Sequence, residues 1–93
     1  MNRSTILIFA KRIFSSSSVQ KATASLLQLK TLLEEQGAPK SDIDLLNKMI
    51  QSAPEMREIA KASNLSLEDV QIAERRAAER RQRELAARSY GRC

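Results

Sequence analysis

Apolar residues recur along this chain at helical rather than strand spacing. In "QKATASLLQLKTLLEEQGAP", Ala22, Leu26, Leu29 and Leu33 follow one another at steps of four, three and four, flanked by Leu27 and Leu32. That pattern predicts a helix with a wide leucine face that needs a covering surface. Gly37 stands where a helix-ending residue with positive φ is expected, and Pro39 prevents continuation. In "SDIDLLNKMIQSAP", the apolar side is Ile43, Leu46, Met49 and Ile50, with Ser41 and Asp44 spaced as a capping box. "SAPE" restarts the chain. Ser52 is placed to cap, Pro54 suits a first turn, and Glu55 completes a second box. Met56, Ile59 and Ala60 then face inward, and Asn64 is expected at a C′ position with positive φ. Ser66 opens the last helix, with Leu65 and Val70 spaced as a hydrophobic staple. Glu68 and Asp69 in its first turn favour the helix dipole.

No alternating strand pattern occurs. The expected fold is all-α, a short bundle of three to four helices with an extended charged C-terminal helix and a flexible basic N-terminus. The expected divisions are residues 1–21 (basic segment), 22–72 (helical core) and 73–93 (arginine-rich extension). At 93 residues the chain forms one domain at most.

The last stretch, "IAERRAAERRQRELAARSYGRC", changes character. Continuing the line Val70, Ala73, Ala77 leads to Arg80 or Arg81 and then Glu84, which no coiled-coil seam sustains. Helix propensity is high, and the pairs Glu79–Arg83 and Glu84–Arg88 are in the better i,i+4 orientation. Beyond Ile72, Leu85 and Tyr90 are its only large apolar side chains. The expectation is a helix projecting into water that lies against an acidic surface, protein or phosphate. Arg75, Arg76, Arg80, Arg81, Arg83 and Arg88 would make that contact. Leu26, Leu29, Leu33 and Leu85 would supply apolar docking to a partner protein. The near absence of aromatics argues against single-strand stacking.

The net charge of +5 is segregated. Residues 1–33 carry five bases and no acid, residues 34–71 sum to −4, and residues 72–93 sum to +4. An acidic middle does not suit an evenly basic nucleic-acid binder.

The N-terminus, "MNRSTILIFAKRIFSSSSVQKATAS", is basic, acid-free and serine-rich. On a helix, Ile6, Leu7, Ala10, Ile13 and Phe14 share one side, with Arg3, Lys11 and Arg12 around them. This composition resembles a mitochondrial transit peptide. The membrane potential draws such a segment inward with about 2.3 kcal/mol per charge per 100 mV. "RIFSSSSVQK" resembles a matrix-processing site. Arg12 lies three residues before a cut between Phe14 and Ser15. Alternatively Arg12 lies two before a cut, with Phe14 to Lys21 as an octapeptide removed next. The resemblance implies a mitochondrial protein, in the matrix or on the matrix face of the inner membrane; the other reading of the same pattern is an ordinary amphipathic N-terminal helix. "ILIFA" is too short to span a membrane, so a peripheral position is expected.

"MREIAKASNLSLEDVQIAERRA" resembles a helix-turn-helix of the bacterial regulator type. Ile59 and Ala60, Asn64 at the turn, Leu65 and Val70 carry the resemblance. It implies DNA reading from Ser66, Leu67, Glu68, Gln71 and Ile72, with Arg75 and Arg76 reaching a backbone. Glu68 and Asp69 oppose that role by repelling phosphates.

Chemistry-bearing motifs are missing. The chain has no His, no glycine-rich phosphate loop, no CxxC and no nucleophile motif. Asp42 and Asp44 read as capping residues and Ser15 to Ser18 as a polar low-complexity run. Cys93, alone and last, reads as an ordinary terminal thiol outside any C-a-a-X box. No catalysis, metal, cofactor or small-molecule substrate is expected. The sequence therefore points to an accessory subunit or assembly factor of a mitochondrial complex, of the respiratory chain or ATP synthase. A mitoribosomal protein with its arginine helix on rRNA is the second reading. A small helix-turn-helix DNA-binding protein is the third.

Overall fold

A computed structural model describes residues 2–90, with side chains described for residues 2–87. Five helices follow in order: α1 (Arg3–Ser16), α2 (Val19–Glu35), α3 (Lys40–Gln51), α4 (Ala53–Ala62) and α5 (Leu67–Tyr90). No strand occurs among the described residues. The all-α expectation holds, with one helix more than foreseen.

The additional helix is α1, and it corrects the reading of a flexible N-terminus set apart from a core at residues 22–72. Asn2 caps it, its side-chain oxygen accepting from the Thr5 N–H at 2.9 Å. Ile6, Ala10 and Phe14 are wholly buried and Leu7 nearly so. They share one cluster with Leu26, Leu46, Met49, Met56 and Ala60. Truncating a buried Phe costs about 3–5 kcal/mol, a large part of the ~5–15 kcal/mol that holds a small domain together. α1 is therefore a structural member of the bundle. It packs chiefly on α4, α2 packs on α3, and α5 lies across α3 and α4.

The turns show which local signals suffice. α2 ends in a full Schellman motif at Gly37, whose φ is 72°. The Ala38 N–H donates to the Leu33 carbonyl at 2.9 Å, and the Gly37 N–H to that of Glu34 at 3.1 Å. α5 opens with a reciprocal capping box. The Ser66 N–H donates to Asp69 Oδ2 at 3.0 Å, and the Asp69 N–H donates to Ser66 Oγ at 3.3 Å. Leu65 and Val70, the staple residues, are both buried.

Two other boxes do not form. α3 begins at Lys40 with Pro39 at the cap and no side-chain cap bond, so Ser41 lies inside the helix. Ser52 stands between α3 and α4 and is buried. Its hydroxyl donates back to the Lys48 carbonyl at 2.6 Å. Glu55, its expected partner, is held by an arginine of α5 instead. Asn64 does not take positive φ, since among the described residues only Gly37 does. α4 ends through Ser63, which is extended and donates its N–H to the Ile59 carbonyl. Ser18, read as part of a polar run, caps α2 by accepting from the Lys21 N–H at 3.3 Å.

Three helix ends are closed by cations from elsewhere in the chain. The Lys11 ammonium donates to the Ala60 carbonyl at the end of α4. Arg57 Nε donates to the Ser17 carbonyl after α1 at 3.3 Å. Arg81 Nη2 donates to the Gln51 carbonyl, the last of α3, at 2.9 Å. A cation is favoured at each of these negative helix ends.

Candidate docking site

α5 is 24 residues long, about 36 Å at 1.5 Å per residue. Only its first half has a bundle to lie on. Val70, Ala73 and Ala77 are buried, and their small side chains let α5 approach α3 and α4 closely. The line then turns polar where the bundle ends. Arg80 Nε donates to Glu55 Oε2 at 2.7 Å, and its Nη2 reaches Glu55 Oε1 at 3.4 Å. This two-pronged pair joins α5 to the first turn of α4. Glu55 is largely buried there, with 11% of its side chain exposed. The Arg80 guanidinium is raised above its ordinary pKa. The Glu55 hydrogen bond is the main cause, the Glu55 and Glu84 charges add to it, and burial opposes it. Beside it, Arg81 holds the end of α3. The two arginines grip both neighbouring helices and fix the direction in which α5 leaves.

Beyond that grip, residues 82–87 are all exposed. Leu85 is 62% exposed. The longest dimension of the molecule is 50 Å, against 29 and 23 Å for the others. Below the protruding part, an open charged groove separates α4 from α5. Glu55, Glu58, Arg76, Glu79, Arg80 and Arg83 line it. Acids and bases alternate there, so it offers no single-sign field to a free anion or cation.

The expected docking residues divide. Leu26 and Leu33 are buried and Leu29 partly so, all against the chain's own core. That side of α2 is turned inward, against α1 and α3, whereas the flanking Leu27 and Leu32 stay exposed. Leu85 remains exposed. Of the arginines, Arg80 and Arg81 are engaged within the molecule, and Arg83 reaches Glu79 only at 3.9 Å. Arg75 and Arg76 are exposed with no ion-pair partner among the described residues. The side chain of Arg88 lies outside the described residues, as does Cys93. Among the expected targeting residues, Arg3 and Arg12 are exposed, whereas Lys11 is tied to Ala60.

A second uncovered apolar area lies where α1 meets the start of α5. Ile8, 65% exposed, and Leu67, 43% exposed, flank a shallow depression also lined by Leu7 and Leu65. A signal for it was present in the sequence. Ile6, Leu7, Ile8 and Phe9 are consecutive, and one side of a helix cannot take all four. Among the described residues no cluster of three or more metal-ligating side chains forms, and no helix is long and apolar enough to cross a membrane. The chain matches no protein family, no curated protein and no solved structure.

Proposed function

We propose that this chain is a non-catalytic accessory subunit or assembly factor of a mitochondrial multiprotein complex, on the matrix side of a respiratory-chain or ATP synthase assembly, and that it docks through α5. One observation carries the docking reading. α5 is gripped at Arg80 and Arg81 and then runs free, with Leu85 exposed among charged residues. A pre-aimed helix bearing one apolar anchor and a charged surround suits insertion into a groove on a partner protein. Localisation rests on the basic, acid-free segment 1–21.

The rRNA reading keeps a specific support, Arg75 and Arg76, which are exposed and have no ion-pair partner among the described residues. It is second because Arg80 and Arg81 already have partners in the chain. The DNA reading is third. The exposed start of α5 presents Glu68, and Asp69 is occupied in the cap.

Tagged protein purified from gently lysed organelles tests these readings together. Migration with an inner-membrane complex in mild detergent, insensitive to nuclease and lost in Leu85→Asp, is the expected result. Co-sedimentation with the mitoribosome that disappears on nuclease treatment would replace it with the rRNA reading. A reporter carrying residues 1–21 that stays cytosolic sinks the localisation.

A further inference from the structure

α1 has two tasks that one conformation cannot serve. As an address it must offer Ile6, Leu7, Ala10 and Phe14 to a receptor. It must also offer the peptide bond after Ile13 or Phe14 to a processing peptidase. In the fold, those four side chains face the core, three of them with no exposure at all.

Both candidate bonds lie inside the last turn of α1, which is tied down from several directions. The Ser17 N–H donates to the Ile13 carbonyl at 3.0 Å. Ser15 Oγ donates to the Lys11 carbonyl at 2.7 Å and Ser16 Oγ to that of Arg12 at 2.6 Å. Arg57 holds the Ser17 carbonyl from α4, and Lys11 is tied to the end of α4. A peptidase needs several residues of extended chain in its cleft. Helix ends normally fray, and such fraying exposes a bond with little disruption of the core. Here Phe14 is adjacent to both bonds and wholly buried. Extending residues 12–16 therefore withdraws Phe14 from between α1 and the rest of the bundle, so opening is coupled to loss of the core.

We propose that folding closes the processing bond. The segment is readable, and cleavable, only while the chain is unfolded, and once folded it is retained as α1 of the mature domain. This rests on the reading of residues 1–21 as an address; the masking follows from the fold. Retention then becomes a race between peptidase and folding, decided by how much of the chain is open.

The test uses the purified full chain and a purified matrix-processing peptidase, read by intact mass and N-terminal sequencing. A Leu46→Asp, Met56→Asp double variant serves as the open form. Both side chains are wholly buried, and both lie outside residues 1–21. Circular dichroism establishes that it is unfolded. The folded wild-type chain should stay intact, and the variant should be cut after Ile13 or Phe14 at least about tenfold faster, as opening-limited cleavage requires. Equal cleavage of the two chains overturns the proposal. An uncut variant overturns it as well, because there is then no processing bond to close. Failure of the address alone has a different signature, a cytosolic residue 1–21 reporter alongside the expected cleavage contrast.

Discussion

α1 and the outer half of α5 look alike as sequences and end up in opposite places. Both are short of acids relative to bases, both carry pairs of adjacent cations, and both read as appendages. α1 became part of the core, whereas α5 left it. The difference lies in side-chain size along one helical line. α1 places Ile6, Ala10 and Phe14 on that line, and all are wholly buried. α5 places Val70, Ala73 and Ala77 there, then Arg80 and Glu84. Large apolar groups supply the burial that holds a helix in place. Alanines allow close approach but give little area. Cations near a helix are thus a poor guide to its being an appendage, since Lys11 and Arg57 serve as closures of helix ends.

The sharpest way to break this comparison is to remove the large group that makes α1 structural. Phe14→Ala should cost about 3–5 kcal/mol, seen as a lower urea midpoint by circular dichroism. A change below about 0.5 kcal/mol would mean that α1 is an appendage after all. The complementary change enlarges the alanine line. Ala73→Leu should cost about 1–3 kcal/mol through overpacking against α3 and α4, read as a drop in Tm. An unchanged or raised Tm would show that α5 has room to shift.

A smaller effect is expected at the grip. Breaking the Arg80–Glu55 pair should cost about 0.2–1 kcal/mol, as for partly exposed pairs. A double-mutant cycle with Arg80→Gln and Glu55→Gln isolates the coupling. The pKa of Arg80 is raised on folding, so its contribution is present below the unfolded value and is lost only as pH rises through the folded one. Both values lie far above neutrality, so this contribution should not vary between mildly acidic and mildly alkaline buffer. A coupling that fades on mild alkalinisation would contradict the assigned partner. The smallest effect on stability belongs to Leu85→Asp, within about 0.5 kcal/mol. That variant should nevertheless abolish co-purification of the partner. A destabilised variant would show that Leu85 belongs to the fold.

Much of the fold was legible. The stop at Gly37 and the start at Ser66 were read correctly because each is complete within a few residues. The failures have more than one cause. Ser52 and Glu55 had the right spacing for a box, but burial turned the hydroxyl toward Lys48 and Arg80 took the carboxylate. Ser41 had the right spacing as well, but α3 starts two residues earlier than a Ser41 cap would have it, at Lys40. The candidate site was half legible. Leu85 and the polar turn of the line at Arg80 were visible in the pattern. The occupation of Arg80 and Arg81, and the loss of Leu26 and Leu33 to the core, were not.

Helix content, the Schellman stop, the final capping box and the fading apolar stripe of α5 follow from residues within one or two turns of each other. Their energetics involve only neighbours along the chain. Three things required the folded molecule: that α1 belongs to the core, which arginines are engaged, and where α5 leaves its support. Each depends on a contact between residues 25 to 49 positions apart, such as Glu55 with Arg80 or Lys11 with Ala60. Spacing along the chain does not encode such contacts, because they exist only once several apolar faces have been buried against one another.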